Sequence, residues 1–83
     1  RPGDVLLAIT TSGRSENIRR ALDAGRAIGI TTIALLGKDG GACKGIADVE
    51  IIAPGPNTAR TQEAHQLIIH TLCQLVDAAL MQA

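Results

Sequence analysis

An α/β fold built on a parallel sheet is predicted by three features of this sequence. Short apolar runs recur at Val5–Ile9, Thr31–Leu36 and Val49–Ala53, each about the length of a strand. A segment with helical apolar spacing separates the first two runs, and a longer one follows the third. Glycine, proline or hydroxyl residues close each run. Such alternation of strand and helix argues for parallel strands joined by right-handed crossovers. Three parallel strands, adjacent in sequence order and flanked by helices, are therefore expected.

The first run, Val5-Leu6-Leu7-Ala8-Ile9, is continuously apolar, as expected of a parallel strand covered on both faces. It stops at Thr10-Thr11-Ser12-Gly13. Ser15 stands where a helix N-cap belongs, and a helix is predicted from about Glu16 to Ile28. Ile18, Ala21, Leu22, Gly25 and Ile28 share one face of it, with Arg19, Arg20, Asp23 and Arg26 outside. Gly29 is a natural stop. The second strand, Thr31–Leu36, is rich in β-branched residues, and Gly37-Lys38-Asp39-Gly40-Gly41 ends it as a loop. A short helix over Ala42–Ala47 is expected, weakened by Gly45. Asp48 leads into the third strand, Val49–Ala53, which Pro54-Gly55-Pro56-Asn57 breaks.

The last helix runs from Thr58 or Ala59 to about Leu80. Ala64, Leu67, Ile68, Leu72, Leu75, Val76, Ala79 and Leu80 make a broad apolar stripe, expected to pack on the sheet. Gln62, Gln66, Ile69, His70 and Cys73 lie on another side. That mixture points to a subunit interface or a site. Gln62 and His70 differ by about 80° around the axis and about 12 Å along it. His65 falls roughly opposite His70, so an exposed or structural role is expected for it.

Composition narrows the function classes. Hydrophobic residues make up 46% of the 83 residues, yet Phe, Trp and Tyr are absent. A core of Ile, Leu, Val and Ala in so short a chain is marginal by itself, which favours a fragment, an oligomer or both. Eight basic and eight acidic residues give zero formal charge, so no polycationic nucleic-acid surface is expected. Arg14, Arg19, Arg20 and Arg26 read as a solvated helix face. Cys43 and Cys73 have no zinc or redox spacing, and reduced thiols suit the cytoplasm. The sequence shows no signal peptide and no apolar run that would span a bilayer. The opening Arg1-Pro2-Gly3-Asp4 reads as a turn before a strand, as if the sequence starts in mid-protein.

The chemistry concentrates after the first strand. Thr10, Thr11, Ser12 and Ser15 place four hydroxyls at a helix N-terminus, where first-turn N–H groups lack intrahelical partners and the dipole favours an anion. One cap needs one hydroxyl, so a phosphate-binding loop is expected. It is neither a Walker loop nor a dinucleotide fingerprint, because Gly-Lys-Ser/Thr and G-x-G-x-x-G are both missing. On residue chemistry alone, Ser/Thr capping remains an ordinary reading of the loop, and His70 reads equally as a hydrogen-bonded core histidine.

The stretch Gly3–Asn17 resembles the phosphosugar-binding loop of sugar isomerase (SIS) domains, whose form is an apolar strand and then Ser/Thr-x-Ser-Gly-x-Ser/Thr. Thr58-Ala59-Arg60-Thr61-Gln62-Glu63-Ala64-His65, followed by His70 and Leu72-Cys73, is similar to the final helix of the phosphoheptose isomerases among them. The Gly37–Gly41 loop also matches, and the likeness is collinear over essentially all 83 residues. The resemblance implies a three-layer, flavodoxin-like SIS sheet, of which residues 1–83 are the C-terminal portion. It implies interconversion of sedoheptulose 7-phosphate and D-glycero-D-manno-heptose 7-phosphate for bacterial heptose and lipopolysaccharide precursors. A glutamate base and a histidine acid move a proton through an enediol in that family. By motif position, Thr10, Thr11, Ser12 and Ser15 would hold the phosphate, Gln62 would contact substrate and zinc, and His70 would be acid and zinc ligand. The base and the other zinc ligands belong to the first half of the family's chain. Glu63 is expected to be a structural partner rather than that base. The resemblance further implies a cytoplasmic homotetramer with sites between subunits. Thr10 stands where the family usually has serine, and the hydroxyl is kept.

Two other readings share these motifs. One is a non-catalytic SIS module, such as the relative that binds the bacterial replication initiator; that relative lacks the last-helix histidine, so His70 favours the enzyme. The other is a sugar-phosphate-sensing regulatory domain. A His-x-x-x-Glu pair on an early helix upstream would separate enzyme from binding module.

Overall fold

In the computed structural model the described residues are 3–12, 15–53 and 55–82. Three strands, β1 (Val5–Ile9), β2 (Thr31–Gly37) and β3 (Val49–Ala53), pair in the order β1-β2-β3, and both pairings are parallel. The register sets Val5 beside Thr31 and Ile33 beside Val49. Helix α1 (Glu16–Ala27) crosses from β1 to β2, and α2 (Thr58–Gln82) follows β3.

Side chains alternate across a strand, so each helix meets one set. Leu6 and Ala8 of β1, Ala34 and Leu36 of β2 and Ile52 of β3 pack with Ile18, Leu22 and Cys43 in the core under α1. The opposite face carries Leu35 and Gly37, and there Thr61 of α2 reaches Gly37. Helices on the two faces of one sheet give the expected three layers.

The crossover from β2 to β3 is a single 3₁₀ turn, Gly41–Cys43, and not a helix over Ala42–Ala47. Gly40 and Gly45 both hold left-handed backbone, at φ 86° and 84°, and an α-helix does not run through that conformation. Asp48 ties the end of this crossover back to β2. Its carboxylate accepts from the Thr32 N–H at 2.8 Å and from the Thr32 hydroxyl at 3.2 Å, while its own N–H donates to that hydroxyl. The Thr32 N–H holds the Asp48 carboxyl below its ordinary range. Arg26 adds a more distant charge at 3.7 Å.

Three packing expectations are corrected. Among the described residues β1 is an edge strand and is covered on one face: α2 contacts β2 and β3, which leaves Val5, Leu7 and Ile9 exposed. β2 is the strand buried on both faces, with Leu35 and Leu36 fully enclosed. Ile28 is 72% exposed because α1 ends at Ala27 and the chain turns away, with the Gly29 and Ile30 N–H groups bonded to the Arg26 and Gly25 carbonyls.

Only part of the apolar stripe on α2 is covered. Thr61 and His65 are buried, Ala64, Ile68 and Leu72 half-buried, and Leu67, Leu75, Val76 and Leu80 exposed. Length explains it. The 25 residues of α2 reach about 37 Å at 1.5 Å per residue, and the seven of β2 about 23 Å. The second half of α2 runs past the strands.

Candidate functional site

A cleft of about 580 Å³ opens at the C-terminal end of β1, lined by Ile9, Thr10, Thr11, Ser15, Gln62, His65, Gln66 and Ile69. Its volume is that of a small-ligand site, and carboxyl ends of strands are where open α/β sheets bind ligands. One wall is the turn from β1 into α1. The other is the first three turns of α2.

The turn is held by its backbone and by one hydroxyl pair. The Thr10 N–H donates to the Leu35 carbonyl at 3.0 Å, carrying the parallel ladder one residue past β1. Thr10 is 7% exposed, and its Oγ1 lies 3.2 Å from the Ser15 Oγ. Ser15 occupies the N-cap with extended backbone, yet its side chain makes no capping bond. Its carbonyl accepts the first helical bond, from the Arg19 N–H. The start of α2 differs: the Asn57 Oδ1 accepts from the Arg60 N–H at 3.0 Å, an ordinary cap. So in α1 the cap hydroxyl is turned across the loop and the first-turn amides receive no side chain from it. First-turn N–H groups and the helix dipole favour an anion at a helix start in general.

Gly37 makes the close approach possible. A β-carbon there would lie 2.3 Å from the Thr11 carbonyl oxygen and 2.5 Å from the Thr61 Cγ2. The glycine lets the hydroxyl loop and α2 meet over the end of β2. Beneath the loop, the buried Cys43 Sγ lies 3.9 Å from the Ser15 carbonyl, and burial pushes its thiol above the ordinary range. Cys43 and Cys73 are both free thiols.

The structure brings Thr10, Thr11, Ser15 and Gln62 together around the cleft. Ser12 is half-buried on the same turn but is not a lining residue, and Gly13 and Arg14 of the motif fall outside the described residues. His70 is exposed and does not line the cleft. The helical wheel shows why. Taking Gln62 as zero, His65, Ile69 and Gln66 lie at about −60°, −20° and +40°, whereas His70 lies at about +80° and two turns further on.

Of the exposed and structural roles open to it, His65 takes the structural one. It is 3% exposed, in the wall of the cleft, and its Nε2 lies 2.8 Å from the Leu36 carbonyl oxygen. Its spacing of three from Gln62 was the available signal. Gln66 and Ile69 do fall on the side read as a possible site. Glu63 is engaged at the surface, where the Arg60 Nη1 reaches both its carboxylate oxygens at 2.8 and 3.0 Å.

The charge and donor set are also informative. No lysine or arginine among the described residues lines the cleft, so a bound anion would rest on hydroxyls and amides. Among the described residues no group of three or more His, Cys, Asp or Glu side chains is placed to hold a metal. Of the two side chains that the resemblance gives to zinc, Gln62 lines the cleft and His70 does not; imidazole is a common zinc ligand, whereas an amide oxygen is an uncommon one. No helix among the described residues is long and apolar enough to cross a membrane.

The chain is similar to known proteins over most of its length. The chain is 48% identical over 79 residues to a phosphoheptose isomerase of Trichlorobacter lovleyi, covering 95% of this chain and 40% of that protein. It is 52% identical over 83 residues to the phosphoheptose isomerase of Shewanella denitrificans, covering 96% and 42%. This chain is similar, over nearly all its length, to one segment of the phosphoheptose isomerases. Solved structures agree. The phosphoheptose isomerase of Neisseria gonorrhoeae superposes with a TM-score of 0.85 at 43% identity, over 92% of this chain and 44% of that one. The one from Francisella tularensis gives 0.85 at 44% identity, over 90% and 42%. The chain thus spans about two-fifths of the length of the phosphoheptose isomerases it matches. No protein-family model matches it.

Proposed function

We propose that this chain is the C-terminal, phosphosugar-binding portion of a phosphoheptose isomerase that interconverts sedoheptulose 7-phosphate and D-glycero-D-manno-heptose 7-phosphate. The observation that carries the reading is the cleft in which the Thr10, Thr11 and Ser15 turn faces Gln62. The phosphate would sit over the start of α1, held by hydroxyls and first-turn amides, with Ser12 on the same turn as a further donor. Gln62 across the cleft would orient the sugar. Aldose–ketose isomerisation needs a base to take a proton from one carbon and an acid to serve the neighbouring oxygen. His70 is the acid in this reading, and the base would come from outside these residues. Gln62 and His70 would hold zinc together with ligands from elsewhere in the full protein; zinc, when bound, polarises a carbonyl oxygen. Heptose supply for lipopolysaccharide, a cytoplasmic location and a homotetramer belong to the same proposal. The exposed apolar side chains Leu67, Leu75, Val76 and Leu80 support assembly with further protein surface.

One observation favours a second reading. His70 stands outside the cleft, as expected if the chain belonged to a non-catalytic phosphosugar-binding module. The loop assignment is common to both readings and is tested first. In the natural full-length protein, Ser12→Ala with Ser15→Ala should raise the KM for sedoheptulose 7-phosphate at least tenfold, since a hydrogen bond to a charged group is worth about 1.5–3 kcal/mol. Unchanged affinity would remove the loop from the site.

A further inference from the structure

We infer that His65 is a positioning residue for the phosphosugar site, setting the rotation of α2 so that Gln62 faces the hydroxyl loop. The inference rests on the proposed function for its ligand and on the geometry of α2 for its mechanism. Helix α2 meets the sheet through few groups. Thr61 packs against Gly37, and one turn later His65 bonds to the carbonyl of Leu36, the residue before that glycine. Thr61 and His65 are the buried polar side chains of α2 among the described residues. Two anchors four residues apart fix how the helix is turned about its axis, whereas one anchor leaves a pivot. Gln62 lies between them and Gln66 just beyond, so the cleft wall takes its orientation from this pair.

The bond also defines the ring. A carbonyl oxygen only accepts, so the His65 Nε2 carries the hydrogen of this bond. Nδ1 is buried and has no hydrogen-bond partner among the described residues. The ring is thus held by Nε2 alone, and a side chain that supplies a donor at that reach should replace it. The same strand end carries Gly37, on which the Thr11 carbonyl rests, so one hydrogen bond couples α2 to the strand that seats the loop.

The test compares His65→Leu, His65→Asn and His65→Gln in the natural full-length protein. Glutamine places an N–H donor near the reach of Nε2; asparagine is too short, and leucine has no donor. Losing a buried hydrogen bond shifts an equilibrium by about tenfold. His65→Leu and His65→Asn should therefore raise the KM for sedoheptulose 7-phosphate about tenfold while folded, as followed by circular dichroism, and His65→Gln should restore most of it. Long-range proton–nitrogen NMR of the unsubstituted protein should show the Nε2–H tautomer. Wild-type KM in folded His65→Leu or His65→Asn would overturn the inference. So would equal impairment in the glutamine variant, or failure of all three variants to fold. An unsubstituted protein that binds no phosphosugar but shows the Nε2–H tautomer would overturn the proposed function and the site role of His65, leaving the helix anchor intact.

Discussion

On the proposed function, replacing His70 by asparagine is expected to lower the kcat of the full-length protein for sedoheptulose 7-phosphate by about 10²–10⁴-fold, the range of a general acid. Asparagine keeps polarity and approximate size and removes the titrating imidazole. His70 is exposed on α2, so the substitution removes no buried packing among the described residues. The melting temperature should therefore move little while turnover collapses. That separation of chemistry from stability makes the variant informative. A near-normal kcat would take His70 out of the reaction and move the binding-module reading ahead. The 83 residues alone hold His70 but no carboxylate that a motif marks as the base.

Gly37→Ala is expected to damage both fold and binding. The added carbon would stand 2.3 Å from the Thr11 carbonyl oxygen and 2.5 Å from the Thr61 methyl. The first neighbour is backbone and cannot turn aside, so the loop or α2 must shift. Overpacking of this kind costs about 1–3 kcal/mol, and the strain falls where the cleft is built. Thermal melting of the full-length protein should drop by several degrees, at about 2–4 °C per kcal/mol for a domain of 150–250 residues, and phosphosugar affinity should fall with it. A variant with the parent's melting temperature and KM would show that Thr11 and Thr61 do not crowd Gly37.

Much of this architecture was legible in sequence because its signals are local. An apolar run and a helical stripe predicted β1 and α1 almost to the residue. Parallel order followed from the alternation, and the strands pair as expected. What stayed hidden depends on contacts between distant segments. Val5, Leu7 and Ile9 read as buried, yet nothing in their composition says that α2 crosses β2 and β3 instead. The apolar pattern of α2 is real, but a helix longer than its sheet cannot lay the whole stripe on it. For His65 a structural role was among those expected, but its burial and its partner were hidden. Its partner is a backbone carbonyl 29 positions away, and no side-chain pattern advertises a carbonyl. Gly37 was legible as a loop signal, but its close approach to Thr11 appears only in three dimensions. At Ser15 the position was predicted and the bonding was not: the hydroxyl turns to Thr10 and leaves the helix uncapped by its side chain.

The most direct test is a crystal structure of the natural full-length protein with sedoheptulose 7-phosphate bound. The account predicts the phosphate over the N-terminus of α1, within hydrogen-bond distance of the Ser15 hydroxyl and at least one of Thr10, Thr11 and Ser12, with the sugar directed toward Gln62. A phosphate bound elsewhere, with the cleft between the hydroxyl turn and α2 left to solvent, would contradict it.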